Sequence, residues 1–387
     1  MTESPAISNK QFIFFTNIPA PYRIAFYNEL YERGLDFIVY YMRETENDRN
    51  WVLDRASLKH PFYIDRGFYW RLGRFHIHFN PRLLWMLLTS RRKEVVIGGS
   101  WNDINVLILA TLKRLGLYRS QLHFWSEANY LTIGASNDNM IKKWMRKYVY
   151  NASTGAQISS GRMVEITFQK WGMPDKAFID LPNTIDESSF QLTNEDVEQR
   201  YLRITPTILF SLRLDERIKG LINFLKAIGD DNIRKARFVV AGDGPDRASV
   251  QAYLSEHNIE SHVQLLGHCE TQQLVRLYRE AQVLTLPSFT DASPLVLVEG
   301  LRMKLPLLVS NRCGNHFEVL EEGKNGFLFD PFDPSQIKTA FESMLSRQAD
   351  WKQMGEASGE IYSRIFDCKS VITRFISELN TFTPVAK

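Results

Sequence analysis

The stretch AQVLTLPSFTDASPLVLVEGLRMKLPLLVS, residues 281–310, constrains the fold more than any other part of the chain. A short apolar run at 283–286 turns polar at Pro287-Ser288, a helix-length segment follows at 295–305, and 306–310 is apolar again. Apolar run, loop, helix and apolar run make a βαβ unit, whose two strands are parallel and buried. Ser293-Pro294 reads as the helix start, with a hydroxyl at the N-cap and proline in the first helical position. Asp291 falls in the loop and Glu299 in the second turn of the helix, with seven residues between them. Apolar residues on nearly every face of this helix put Glu299 where burial demands a hydrogen-bonding partner. In open α/β sheets ligands bind beyond the strand C-termini. A helix N-terminus in that place, with free amides, suits an anion such as phosphate. A plainer reading puts Asp291 in a simple turn and pairs Glu299 with a core arginine.

A chain of 387 residues exceeds one typical core, so two domains are expected. At 44% hydrophobic and 24% charged residues it is ordinary globular material. Cys269, Cys313 and Cys368 form no CxxC pair, which leaves neither a disulfide framework nor a zinc site and suits a reducing cytoplasm. The opening MTESPAISNK lacks a basic segment followed by an apolar core, so no signal peptide is expected. Apolar stretches such as 106–112 fall far short of a membrane span. The net charge of +3 conceals an asymmetry: residues 51–150 hold 16 Lys and Arg against 6 Asp and Glu, a balance of +10. The same third carries Trp51, Tyr63, Phe68, Tyr69, Trp70, Phe75, Phe79, Trp85 and Trp144. Cations interleaved with large aromatics fit an anionic membrane surface, a single-stranded nucleic acid, or a solvated basic face over an aromatic core. No recognised nucleic-acid module is present.

The chain opens with a strand at 10–15 and the loop Asn17-Ile18-Pro19-Ala20-Pro21-Tyr22-Arg23, then an amphipathic helix at 24–33 and a strand at 37–41. Arg23 at a helix start opposes the helix dipole; it faces an anionic ligand, or it pairs with Glu29 or another acid. Residues 44–80 lack a clean period and read as loops and short strands. Helices at 81–90, 105–115 and 140–150 alternate with strands at 94–98 and 122–125. The second strand ends in Ser126-Glu127-Ala128, which sends Glu127 to the same side as Arg23, as a binding group or as a helix cap. A second series of strands lies at 207–211, 237–241, 263–266 and 283–286. Arg213 and Lys219 flank the loop after the first of these, where two cations can clamp a diphosphate or sit as surface charges. Gly242-Asp243-Gly244-Pro245 after a strand is half a dinucleotide fingerprint, with Arg247 where the third glycine would fall. Residues 351–381 look helical. Two series of alternating strands and helices predict an α/β protein of two doubly wound domains.

The segment from Pro287 to Pro306 resembles the donor site of retaining nucleotide-sugar glycosyltransferases, family 4 in particular: a proline-serine loop, an acid, seven residues and a glutamate. Asp291 stands where that family usually has glutamate, and Lys304-Leu305-Pro306 replaces its glycine-x-proline step. Arg213 and Lys219-Gly220, Gly242-Asp243-Gly244-Pro245, Gly267-His268, Pro182-Asn183-Thr184-Ile185-Asp186 and Asn325-Gly326 continue the likeness. NIPAPYR is similar to the opening of members that build bacterial surface polysaccharides, although prolines replace the usual glycine pair. The resemblance is detailed over 207–346 and thin before it. It implies the GT-B architecture, two Rossmann-like domains facing a central cleft. An acceptor-binding domain would span 1–186 and a donor domain 187–364, with a terminal helix at about 365–387 packing back on the first. The implied reaction moves a sugar from UDP-sugar or GDP-sugar to a glycan or lipid-linked glycan with retained configuration. Arg213 and Lys219 would neutralise the diphosphate. Glu299 would hold the ribose, and Asp291 with the amides of Leu295 and Val296 the sugar. Gly242, Gly244 and main-chain atoms of His268 would line the nucleotide, and Arg23 and Glu127 would serve the acceptor. With no Asp-x-Asp pair on a loop, no metal is expected, and the leaving phosphate would take the acceptor's proton. Cytoplasmic, peripheral membrane placement follows. A phosphorylase or epimerase on the same fold, and less readily a basic nucleic-acid-binding protein, are the competing readings.

Overall fold

The computed structural model describes residues 11–46, 53–72, 75–92, 94–132 and 139–381. The N-terminal segment read above for a signal, Trp51 and Lys93 lie outside the described residues. The chain forms two compact units, one ending at Thr184 and resuming at Cys368, the other running from Ile185 to Asp367.

The first unit is built on strands β1 (Phe12–Thr16), β2 (Phe37–Tyr41) and β3 (Phe62–Ile64), a hairpin of β4 (Phe68–Leu72) and β5 (Phe75–Phe79), then β6 (Glu94–Ile97), β7 (Gln121–Ser126), β8 (Gln157–Ser159) and β9 (Phe178–Asp180). Seven of them make one parallel sheet in the order β3-β2-β1-β6-β7-β8-β9. The order reverses at β1, so a switch-point crevice opens beyond β1 and β6. β1 reads FIFFT and is buried at every residue, as a central strand covered on both faces must be. Helices α1 (Pro21–Glu32), α2 (Pro81–Thr89), α3 (Ile104–Arg114), α4 (Met140–Tyr150) and α5 (Arg162–Lys170) connect the strands. Proline occupies the first turn of α1 and α2, where its missing N–H costs nothing. The hairpin, antiparallel and outside the main sheet, supplies two of the short strands expected over 44–80.

The second unit holds α6 (Asn194–Tyr201), β10 (Thr207–Ser211), α7 (Glu216–Lys219), α8 (Leu221–Ile228), α9 (Asp230–Ile233), β11 (Arg237–Ala241), α10 (Arg247–Glu256), β12 (Val263–Gly267), α11 (Thr271–Glu280) and β13 (Val283–Leu286). It continues through α12 (Leu295–Arg302), β14 (Leu307–Ser310), α13 (His316–Val319), β15 (Gly326–Phe329), α14 (Pro334–Ser346) and α15 (Trp351–Ile361). Its six strands are parallel in the order β12-β11-β10-β13-β14-β15, with the reversal at β10 and β13. Helix α12 packs close on the sheet: a Cβ on Gly300 would lie 2.4 Å from a Leu284 methyl, so any larger residue must displace that side chain. Three details differ from the sequence reading of α12. Pro294, not Ser293, occupies the N-cap position, no side chain caps the helix, and the helix ends at Arg302 where 305 was expected.

The helical stretch 351–381 is not continuous. A π-helical turn at Tyr362–Phe366 and extended Asp367 interrupt it before α16 (Cys368–Thr381). There the chain leaves the second unit, and Val371, Ile372, Phe375, Ile376 and Leu379 of α16 complete the core of the first.

Candidate functional site

In the second unit the loops beyond β10, β11, β13 and β14 interlock at the switch point. The chain after β10 runs Leu212-Arg213-Leu214, and both leucines are buried while Arg213 is exposed between them. Leu212 N–H donates to the Ala241 carbonyl at 3.0 Å and Leu214 N–H to that of Asp243 at 3.1 Å. This zipper requires Gly242 and Gly244. A Cβ would sit 1.9 Å from the Leu212 carbonyl oxygen at the first and 2.2 Å from that of Leu214 at the second, and Gly242 has φ +140°. The amides of both glycines are already engaged, Gly242 on the Gly267 carbonyl at 2.8 Å and Gly244 on the Asp243 carboxylate at 2.8 Å. Their role here is to let two backbones meet and hold Arg213 at the surface.

Lys219 ends α7, and left-handed Gly220 (φ +63°) turns the chain into α8. The Ile218 carbonyl accepts from Phe289 N–H at 2.8 Å, which draws the loop after β13 against α7. Lys219 Nζ thereby forms an ion pair with the Asp291 carboxylate. Asp291 is fixed in turn by the loop after β14: its N–H donates to the Arg312 carbonyl and its carbonyl accepts from Gly314 N–H at 2.9 Å. The lysine and the aspartate picked out by the sequence thus meet directly. Beside them begins α12. Among the described residues the amides of Leu295 and Val296 have no acceptor, so they present donors and the positive end of the helix, an arrangement suited to an anion.

Glu299 does not pair with an arginine. The phenol of Tyr278, buried on α11, donates to Glu299 Oε2 at 2.6 Å. Burial pushes the Glu299 carboxyl up to about 7, opposed by the Tyr278 hydrogen bond. The same burial, with Glu299 beside it, drives the phenol of Tyr278 well above its usual range. Tyr278 therefore fixes one carboxyl oxygen of Glu299. Nothing in the sequence pointed to this tyrosine, which lies 21 positions away on another helix. His268 is exposed just beyond β12, 3.4 Å from the Glu270 carboxylate, and among the described residues its main-chain N–H and C=O make no hydrogen bond.

The first unit holds a second constellation. Arg23 Nη2 donates to Glu127 Oε1 at 3.0 Å, and the same oxygen accepts from Asn183 Nδ2 at 3.0 Å. Of the choices left open for Arg23, the acid is Glu127; Glu29 is taken by Arg33 at 2.9 Å. Glu127 is no helix cap. The Arg23 guanidinium lies 4.1 Å over the Trp125 ring, and a cavity of about 280 Å³ opens around it. Trp125 and Glu127 are two apart at the end of β7, so strand alternation puts them on one side; that signal was available in the sequence. Asn183 belongs to a motif already singled out, though not for this contact. Among the described residues, no group of three or more His, Cys, Asp or Glu side chains is disposed to hold a metal ion.

Residues 197–360, within the second unit, match the family model described as "Glycosyl transferases group 1". The "Alpha-D-kanosaminyltransferase" of Streptomyces kanamyceticus is 21% identical over 56% of this chain and 57% of that protein. The Campylobacter jejuni "GalNAc-alpha-(1->4)-GalNAc-alpha-(1->3)-diNAcBac-PP-undecaprenol alpha-1,4-N-acetyl-D-galactosaminyltransferase" is 30% identical over 38% of this chain and 40% of that protein. The chain thus spans about half the length of these curated relatives. The crystal structure of HepE from Anabaena, in complex with UDP, superposes with a TM-score of 0.74 at 13% identity and covers 96% of this chain and all of that one. The chain has the fold of the GT-B proteins, two Rossmann-like units, and the group 1 glycosyl transferase match falls within the second of them.

Proposed function

We propose that this protein is a retaining, metal-independent glycosyltransferase of family 4. It moves a sugar from a nucleotide-diphosphate sugar to a glycan or lipid-linked glycan in surface polysaccharide or lipopolysaccharide synthesis. The observation that carries this reading is the convergence, at one switch point, of Arg213, the Lys219–Asp291 pair, the free amides heading α12 and half-buried Glu299. Arg213 and Lys219 neutralise the diphosphate, which replaces a metal's charge, and the amides of Leu295 and Val296 add donors at low reorganisation cost. Glu299 accepts hydrogen bonds from the ribose hydroxyls through the oxygen that Tyr278 leaves open. Asp291, held beside Lys219, faces the transferred sugar. The acceptor's proton passes to the leaving phosphate. Support also comes from the group 1 match over the same residues and from the UDP in the HepE structure.

The protein works at the cytoplasmic face of an anionic membrane. No described helix is long and apolar enough to cross a bilayer. Surface attachment instead falls to α4, where Met140 (84% exposed), Ile141 and Trp144 share one exposed face. Lys143 and Lys147 flank it, a pattern suited to the interface of an anionic bilayer. Of the other aromatics in the basic third, Phe68, Trp70 and Trp85 are exposed, while Tyr63, Tyr69 and Phe79 are half-buried and serve the fold.

Transfer of labelled sugar from a panel of UDP- and GDP-sugars, with and without EDTA, tests the proposal. Turnover that survives the chelator is expected. Activity lost in EDTA and restored by magnesium or manganese would overturn the metal-independent assignment, and no nucleotide binding at all would overturn the donor site.

A further inference from the structure

We infer that the cavity beyond β1, β6 and β7 of the first unit receives one uncharged pyranose ring, and that this ring is the end of the acceptor that takes the new sugar. The second half of the inference rests on the transferase reading above; the first stands on the cavity alone. The space of about 280 Å³ is bounded by Arg23, Trp101, Trp125, Glu127, Tyr150 and Trp171. That is at the low end of ligand pockets, about 300–1,000 Å³, and suits one ring in place of an oligosaccharide or a nucleotide. Its walls are held rigid. Arg23 stacks on Trp125 at 4.1 Å, Arg146 on Trp171 at 4.3 Å, and Trp171 on Tyr150 at 6.1 Å. Flat apolar ring faces beside polar edges match a pyranose, which has C–H faces and a rim of hydroxyls.

The hydrogen-bonding inventory decides between a neutral and an anionic ring. Glu127 gives Oε1 to both Arg23 and Asn183, which leaves Oε2 as an open acceptor. Arg23 is buried, with a side chain only 9% exposed, yet its Nη1 has no partner. Nη1 sits at the junction with a smaller cavity of about 160 Å³, whose lining includes the unpartnered Oδ1 of Asn17. The site therefore offers two unused donors, Arg23 Nη1 and the indole N–H of Trp125, and two unused acceptors. A hydroxyl donates and accepts, so it satisfies both kinds. A carboxylate or phosphate only accepts. It would meet Nη1 but leave Glu127 and Asn17 opposed to it, and the guanidinium charge that would attract it is already neutralised by Glu127. Gly98 belongs to this design: a Cβ there would lie 2.8 Å from Nη1 and fill the junction.

The test is a saturation-transfer and titration panel on the full chain. It uses the methyl glycosides of glucose, galactose, mannose and N-acetylglucosamine against methyl glucuronide and glucose 6-phosphate, with UDP and GDP titrated separately. At least one neutral glycoside is expected to bind, with its ring protons saturated from aromatic resonances and both anionic sugars at least tenfold weaker. Glu127→Gln and Trp101→Leu should each weaken that glycoside by about tenfold and leave the nucleoside diphosphate affinity unchanged. Should either variant fail to fold, the other variant and the wild-type panel decide. An anionic sugar bound as tightly as its neutral counterpart, or no glycoside bound while UDP or GDP binds, overturns the inference. A protein that binds the neutral glycosides but no nucleotide sinks the transferase reading and leaves the cavity assignment standing.

Discussion

Each unit places a cation–carboxylate pair at the switch point of a parallel sheet, Arg23–Glu127 in the first and Lys219–Asp291 in the second, yet the two sites are made of different material. The second is built from backbone. Gly242, Gly244 and Gly220 let loops touch, and the ligand would meet free amides at the head of α12. The first is built from side chains, with indoles and guanidinium groups stacked from five separate segments. A backbone site suits a constant ligand part, the diphosphate, since main-chain donors cannot drift. A side-chain site can be re-cut for each acceptor by a few substitutions.

The largest expected effect probes that difference through matched glycines. Gly242→Ala drives a Cβ to 1.9 Å from a backbone oxygen at a φ of +140°, and neither can yield without breaking the Leu212–Ala241 contact. A loss of about 3 kcal/mol or more is expected in denaturant melts. Gly98→Ala meets the tip of Arg23 at 2.8 Å, a flexible side chain that can swing. It should cost about 1 kcal/mol or less and act on ligand binding in the first unit instead. Equal destabilisation by the two would contradict the contrast.

Next comes Glu299→Gln. The amide keeps the size but loses charge-assisted bonds to the ribose, so affinity for the nucleoside diphosphate should fall by about 1–3 kcal/mol with the fold intact. Calorimetric titration beside a melting curve reads both. A purely structural Glu299 would show the reverse, lower stability and unchanged affinity.

Asp291→Asn should lower turnover by about tenfold or more, the equivalent of about 1.4 kcal/mol. Binding of free UDP or GDP should stay level or tighten, because Lys219 loses its carboxylate partner. Transfer at the parental rate would remove Asp291 from the sugar site. Smaller again for each side chain is the effect at α4. Reversing Lys143 and Lys147 should weaken binding to anionic vesicles by about 1 kcal/mol per cation removed at physiological salt, with no change on neutral vesicles. Loss on both vesicle types would refute the electrostatic account.

The same contrast explains what was legible in the chain. Thr207–Ser211, Arg237–Ala241 and Val283–Leu286 are strands over the runs their apolar residues mark out, because strands buried on both faces need uninterrupted apolar sequence. The loops beyond the second unit's strands were legible too, since glycine, proline and short spacings write backbone geometry locally. Tyr278 was not, nor was the aromatic cavity around Arg23, because those contacts join residues tens of positions apart and leave no local period. The start of α12 misled for a physical reason: a serine before a proline offers a good cap, but the chain turns one residue later. The interruption at 362–367 was invisible because the helical pattern resumes beyond it.

The smallest expected effect is a pH dependence, and it separates the two carboxylate sites again. Glu299 has a carboxyl raised by burial to about 7 in the folded chain, against an ordinary value near 4.5. A raised carboxyl holds its proton more tightly when folded, so its stabilising contribution is full below about 4.5 and is lost as pH climbs through about 7. Ligand binding runs the other way. Ribose hydroxyls are best accepted by the ionised carboxylate, so nucleotide affinity should rise with pH over the window in which the fold loses this contribution. The phosphates of the ligand titrate nearby, and Glu299→Gln serves as the reference because it shares that ligand titration but has no carboxyl. The ratio of parental to Glu299→Gln affinity should grow by about threefold from about pH 6.5 to 7.5. Tyr278→Phe removes the hydrogen bond that opposes the burial effect, so the rise should move to higher pH. A ratio that stays flat across this range would mean that Glu299 meets the nucleotide without using its charge.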